Sequence, residues 1–100
     1  MTDAHRIEAR ALMHEVVPRA AALGPENKLT LDLRWLYAMT LYRDDAATLD
    51  DVREAVTTLE ETERIARRVL GGAHPVTMGI GRDLQKSRAA LRARETPGSA

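Results

Sequence analysis

The side chains that could carry chemistry are sparse in this chain of 100 residues, which has three His and no Cys. The absence of Cys removes thiol catalysis, disulfide frameworks and Cys-ligated zinc. A helical zinc site wants ligands at i and i+3 or i+4, and His5, His14 and His74 offer no such pair. Catalysis needs a base beside a nucleophile, or two carboxylates facing a cleft. Asp44-Asp45 and Asp50-Asp51 are adjacent acids, but the first pair lies in a polar break and the second at a helix start. There the favoured roles are solvation and capping. Ser87 and Ser99 have no neighbouring His to act as base. No GxGxxG or GxxxxGK[ST] loop is present, and Gly71-Gly72 reads as a helix stop rather than a phosphate cradle. The expectation is a non-catalytic protein with no metal and no cofactor.

Charge and aromatic residues say more. The 15 basic and 15 acidic side chains cancel, which disfavours a strongly basic nucleic-acid binder or a polybasic membrane tether. From Asp44 to Glu63 there are eight acids and one base, Arg53, and from Arg64 to Arg94 eight bases and one acid, Asp83. A helix with acids at its start and bases at its end explains much of this. The remainder, Arg82, Lys86, Arg88, Arg92 and Arg94, suits a solvated face or an acidic partner. No aromatic platform accompanies these Arg residues, so RNA is not expected. Trp35, Tyr37 and Tyr42, the only aromatics, fall within one short segment. They serve either as core with wet polar tips or as a recognition surface.

The elements that must position these residues are helices. Ala, Leu, Arg and Glu dominate, and Gly and Pro cluster at Gly24-Pro25 and at Gly71-Gly72 with Pro75. Hydrophobic residues reach 44 %, enough for one packed core, and the length favours a single domain. Helices are predicted over about 3–23, 27–42, 49–70 and 75–94, with 96–100 a loose tail. In the first, Thr2 is a candidate cap; Ala9, Leu12, Met13, Val16, Ala20 and Leu23 recur at helical spacing, and Pro18 predicts a kink or restart. The second carries Leu29, Leu33, Leu36 and Thr40 on one face and Leu31, Trp35, Ala38 and Tyr42 on another, the pattern of a helix sandwiched between neighbours. In the third, Thr48 and Asp51 form a capping box, Gly71 supplies a left-handed stop, and Leu49, Val52, Val56, Leu59, Ala66 and Leu70 make the buried stripe. The fourth opens at Pro75 and buries Val76, Ile80, Leu84, Ser87 and Leu91, with Gly79 and Gly81 weakening its first turns.

Two junctions look alike. Leu23-Gly24-Pro25-Glu26-Asn27-Lys28-Leu29-Thr30-Leu31 aligns with Leu70-Gly71-Gly72-Ala73-His74-Pro75-Val76-Thr77-Met78 at an offset of 47 residues. Self-similarity at such a period marks stacked helical hairpins. The run Leu70-Gly71-Gly72-Ala73-His74-Pro75-Val76-Thr77 resembles the repeat boundary of kinesin-light-chain-like tetratricopeptide (TPR) proteins, whose repeat is longer than the common ~34-residue one. Arg53-Glu54-Ala55 supplies part of that family's second-helix start, and the extra length falls around Asp44 to Thr48. The resemblance spans roughly residues 14–94. It implies an all-α protein of four helices in two antiparallel hairpin-like pairs, a right-handed α-solenoid fragment in which the first and last helices do not touch. The alternative is a closed four-helix bundle. In the family, paired Asn residues on the concave side grip a bound peptide. Here Trp35 and Leu36, and then Arg82 and Asp83, take those places. The resemblance therefore implies a different groove, cationic and aromatic, lined by Arg34, Trp35, Arg82 and Lys86.

The expected function is a protein–protein interaction module that holds a peptide or partner helix, an acidic one included, in a shallow groove. The alternative is a structural subunit that self-associates or joins a larger assembly through its apolar end faces. The start Met1-Thr2-Asp3-Ala4-His5-Arg6 lacks the apolar core of a signal peptide, and no apolar run approaches the roughly 20 residues of a bilayer span. A soluble protein of the cytoplasm or another intracellular compartment is expected, with neither membrane nor nucleic acid among its partners.

Overall fold

A computed structural model of the protein describes residues 3–24 and 26–95. Four α-helices and no strand occur among them: α1 (Asp3–Ala21), α2 (Lys28–Tyr42), α3 (Leu49–Leu70) and α4 (Pro75–Glu95). The candidate cap Thr2 and the tail 96–100 lie outside the described residues, as do the side chains of Ala9 and Ala20.

Local chemistry explains the bounds. The Thr48 hydroxyl accepts from the Asp51 N–H at 3.1 Å, and the Asp51 carboxylate accepts from the Thr48 N–H at 3.0 Å, so the capping box is complete. At the far end of α3, Gly71 takes φ +94° with ψ 152°. The positive φ is as expected, but ψ is extended rather than left-handed helical, a conformation that only glycine adopts cheaply. The first helix is shorter than expected, stopping at Ala21, and it runs through Pro18 without a restart. Pro18 sits in the last turn, so the lost N–H and the ring clash fall where the helix is ending.

The repeat holds at atomic level at its two corners. The Asn27 N–H donates to the Gly24 carbonyl at 3.1 Å, and the His74 N–H to the Gly71 carbonyl at 3.2 Å. Asn27 caps α2 by accepting from the Leu29 N–H at 2.9 Å, and His74 Nδ1 accepts from the Val76 N–H at 3.1 Å. Gly24 and Gly71 are the positive-φ residues among those described, and Thr30 and Thr77 are both buried. Each pair is related by the offset read from the sequence.

Packing follows chain order: α1 on α2, α2 on α3, α3 on α4, with a smaller α2–α4 contact and none between α1 and α4 among the described residues. The pairs Tyr37–Glu54 and Arg34–Glu61 show α2 and α3 antiparallel, and Arg88–Glu60 and Arg53–Glu95 show the same for α3 and α4. The shortest dimension, 18 Å, is about two helix diameters. The core joins Met13, Leu31, Tyr37, Ala38, Leu41, Ala55, Val56, Leu59, Ile65, Ala66, Ile80 and Leu84. The α2 expectation needs correction on one side. Leu31 and Ala38 are buried and Trp35, Tyr42 and Leu33 pack against the core, but Leu29 and Leu36 are exposed. α1 meets α2 beside Tyr37, where the His14 ring packs edge-on at 5.2 Å, and leaves the next strip of α2 uncovered. In α1, Met13 is buried while Leu12 is exposed, with Arg10 and His14 taking contacts toward α3 and α2; Leu23, in the turn after α1, is exposed too.

Candidate functional site

The four residues expected to line a groove are distributed over different surroundings. Trp35 is half-buried and acts as a wedge between α2 and α4. Its indole N–H donates to Asp83 Oδ2 at 2.6 Å. Its six-membered ring lies over Gly79, where an added Cβ would come within 2.5 and 2.7 Å of two ring carbons. Gly79, read from the sequence as a weak point of the helix, is the gap that admits the indole. Arg34 points toward α3: its guanidinium pairs with Glu61 at 3.6 Å, its side chain is 20 % exposed, and its Nε is buried without a partner. Only Arg82 and Lys86 stand exposed, one turn apart on α4.

Asp83, buried, is the centre of this region and is not among the expected site residues. Besides Trp35 it accepts from the Tyr42 hydroxyl through Oδ1, and Arg43 reaches the same oxygen at 3.4 Å. Burial alone would push this carboxyl up. Hydrogen bonds from Tyr42 and Trp35, with the charges of Arg43 and Lys86, outweigh burial and hold it below the ordinary carboxylate value. Tyr42 moves the other way, pushed up by burial and by its bond to Asp83. One acid thus ties α4 to both ends of the α2 aromatic segment.

A second polar cluster joins α1, α2 and α3. The Tyr37 hydroxyl donates to Glu54 Oε2, so the His14 Nε2 atom, 2.8 Å away, donates to the hydroxyl oxygen. Arg10 pairs with Asp51 and, at 3.4 Å, with Glu54. Burial, the Glu54 hydrogen bond and the Glu54 charge push the Tyr37 phenol well above the ordinary Tyr value. Burial opposes the Arg10 charge, but Asp51, Tyr37 and Glu54 prevail and raise its pKa. A phenol held protonated is a hydrogen-bond donor, not a nucleophile, and Glu54 and Asp51 are each engaged by it or by Arg10. The chemistry of both clusters is the fastening of helices.

Among the described residues no three His, Asp or Glu side chains converge as metal ligands, and no helix is long and apolar enough to cross a membrane. What the surface offers is apolar. Leu12 on α1 and Leu23 in the turn after it are 58 and 63 % exposed, and Leu29 and Leu36 on α2 are 51 and 47 % exposed. The paired charges Glu15–Arg19 and Lys28–Asp32 lie on the same two helices. Sequence periodicity assigned these leucines to the core, since spacing shows that a helix has an apolar face but not whether a neighbour covers it.

Comparison with known proteins found no family model, curated protein or solved structure that matches the chain.

Proposed function

We propose that the protein is a non-catalytic interaction module built of TPR-like hairpins, which receives a partner helix along α1 and α2. The observation that carries this reading is the set of four half-exposed leucines, Leu12 on α1, Leu23 in the turn after it, and Leu29 and Leu36 on α2. Full burial of a Leu is worth ~1.5–3 kcal/mol, so covering the open half of four contributes ~4 kcal/mol before binding costs are met. A helix with an apolar stripe at i, i+3, i+4 and i+7 matches such a strip. Arg82 and Lys86 form a basic ridge of their own on α4, so reversing their charge serves as a control for the leucine strip. The absence of α1–α4 contact among the described residues supports the open arrangement that the reading assumes. The test is capture of a binding protein from native extract by the wild type, by Leu29→Glu/Leu36→Glu and by Arg82→Glu/Lys86→Glu. Loss of one common partner in the first variant is expected; capture unaffected by either variant overturns the proposal.

The leucines and their bordering ion pairs also suit a second copy of the chain, the arrangement of a subunit that self-associates. Sedimentation across concentration separates the readings: a mass that rises with concentration, and falls back in Leu29→Glu/Leu36→Glu, supports self-association.

A further inference from the structure

Away from the residues of α1, an open pocket of about 300 Å³ lies between the second half of α3 and the first turns of α4. Glu63, Arg67, Gly72, Thr77, Met78, Gly81, Arg82 and Gln85 line it. Its volume is at the lower end of small-ligand sites. The pocket holds one anomaly. Thr77 is 2 % exposed, yet its hydroxyl has no hydrogen-bond partner among the described residues. Its counterpart at the other corner, Thr30, donates to the Gly24 carbonyl at 3.1 Å. Buried hydroxyls are normally satisfied, so an unpartnered one on a residue that lines a pocket marks a place for a ligand acceptor.

The surrounding charges define that acceptor. Arg67 is held by Glu63 at 3.3 Å, and Arg82 on the next helix makes no ion pair among the described residues. Two guanidiniums less one carboxylate leave one net positive charge in the pocket. A monoanionic carboxylate matches that charge. A phosphate dianion would overshoot it and lie close to Glu63. Gly72 and Gly81 keep the walls low, and Met78 gives an apolar side for a short carbon stem. The geometry points to a carboxylate-binding site in which Arg82 and Arg67 take the anion and the Thr77 hydroxyl donates the hydrogen bond it lacks in the free protein. The carboxylate comes either from a free small acid or from a Glu side chain of a bound peptide. The site is separate from the leucine strip and does not depend on it.

Amide-resolved NMR titration of the full chain tests the assignment, with propionate, inorganic phosphate and sodium chloride at matched ionic strength, then with a Glu-bearing peptide and its Gln counterpart. Propionate should shift the amides of Gly72, Thr77 and Gly81 saturably, with Kd on the order of 1 mM, as suits so small a ligand. Phosphate should bind more weakly and chloride should not saturate. Tighter binding of the Glu peptide than of propionate, lost in the Gln peptide, identifies a protein source; equal affinity identifies a free acid. Arg82→Ala should weaken propionate about tenfold. Thr77→Val should weaken it about fivefold while leaving the melting temperature unchanged or higher, which separates lost binding from lost folding. Absence of saturable shifts at those amides, or full affinity in Thr77→Val, overturns the proposal. Either result leaves the partner-capture test of the leucine strip unaffected.

Discussion

Replacing Asp83 by Ala should remove most of the hold between α2 and α4. The Trp35 N–H and the Tyr42 hydroxyl would each lose an acceptor in a largely dry setting, at about 1–3 kcal/mol apiece. Arg43 adds little, because its side chain is 56 % exposed and its separation from the carboxylate is 3.4 Å. The expected loss is about 3–5 kcal/mol, against a total of roughly 5–15 kcal/mol for a domain of this size. Asp83→Asn keeps the shape and one acceptor and should cost about half as much. Urea unfolding followed by circular dichroism reads both variants, with the slope m unchanged. The pH dependence has a fixed sign. The folded state holds the Asp83 carboxyl below its ordinary value. Its contribution is therefore complete above about pH 4, and it is lost as pH falls through the lower folded value. Wild type should lose stability in that acid window, and Asp83→Asn should lose less of it. A double-mutant cycle with Trp35→Phe should show coupling of about 1 kcal/mol or more. An Asp83→Ala protein within 0.5 kcal/mol of wild type, by these roughly additive costs, would refute the role of this acid as a fastening.

Gly79→Ala adds a good helix former, worth up to ~1 kcal/mol, but its Cβ would fall 2.5 Å from the Trp35 ring, which the Asp83 bond keeps from swinging away. The net effect should be destabilising by ~1–3 kcal/mol, and in a Trp35→Leu background the same substitution should become neutral or stabilising. A stabilising Gly79→Ala in the wild type would contradict the wedge. At the alkaline end, Tyr37 and Tyr42 both have folded values above the ordinary phenol. Their contribution is complete below about pH 10 and is lost as pH rises through the folded values. The urea midpoint should fall in that range, and less so in Tyr37→Phe; phenolate formation at ordinary pH with helicity intact would contradict the burial of both rings.

The sequence was most informative where a single residue decides the backbone. Thr48, Asp51 and Gly71 fix the ends of α3 through bonds that reach at most four residues, so its expected span of 49–70 is the observed one. The corner repeat was legible for the same reason. Faces were less so. Leu12, Leu23, Leu29 and Leu36 have core-like spacing, but their exposure depends on where α1 crosses α2, a long-range property. The candidate groove shows the same divide. Trp35 stood out by its type, yet its partners Gly79 and Asp83 are more than 40 positions away. The one signal for Asp83 was its standing as the lone acid in a basic run. For the cluster of Arg10, His14, Tyr37 and Glu54, no local pattern distinguishes these residues from solvated ones.

The chain has no Phe and three aromatics in all, so its helices are not fastened by large apolar side chains alone. Each aromatic reaches a carboxylate on a neighbouring helix: Trp35 and Tyr42 reach Asp83 on α4, and Tyr37 reaches Glu54 on α3. Such bonds depend on direction, so they fix the axial register of helices that small residues such as Ala38, Ala55 and Ala66 would leave free to slide. A ring that donates to a buried acid on the next helix is also withdrawn from the surface. The helices thus hold their register with polar groups turned inward, and Leu12, Leu23, Leu29 and Leu36 remain outside. That division places these polar residues in the architecture and fits the proposal that the exposed leucines meet another molecule.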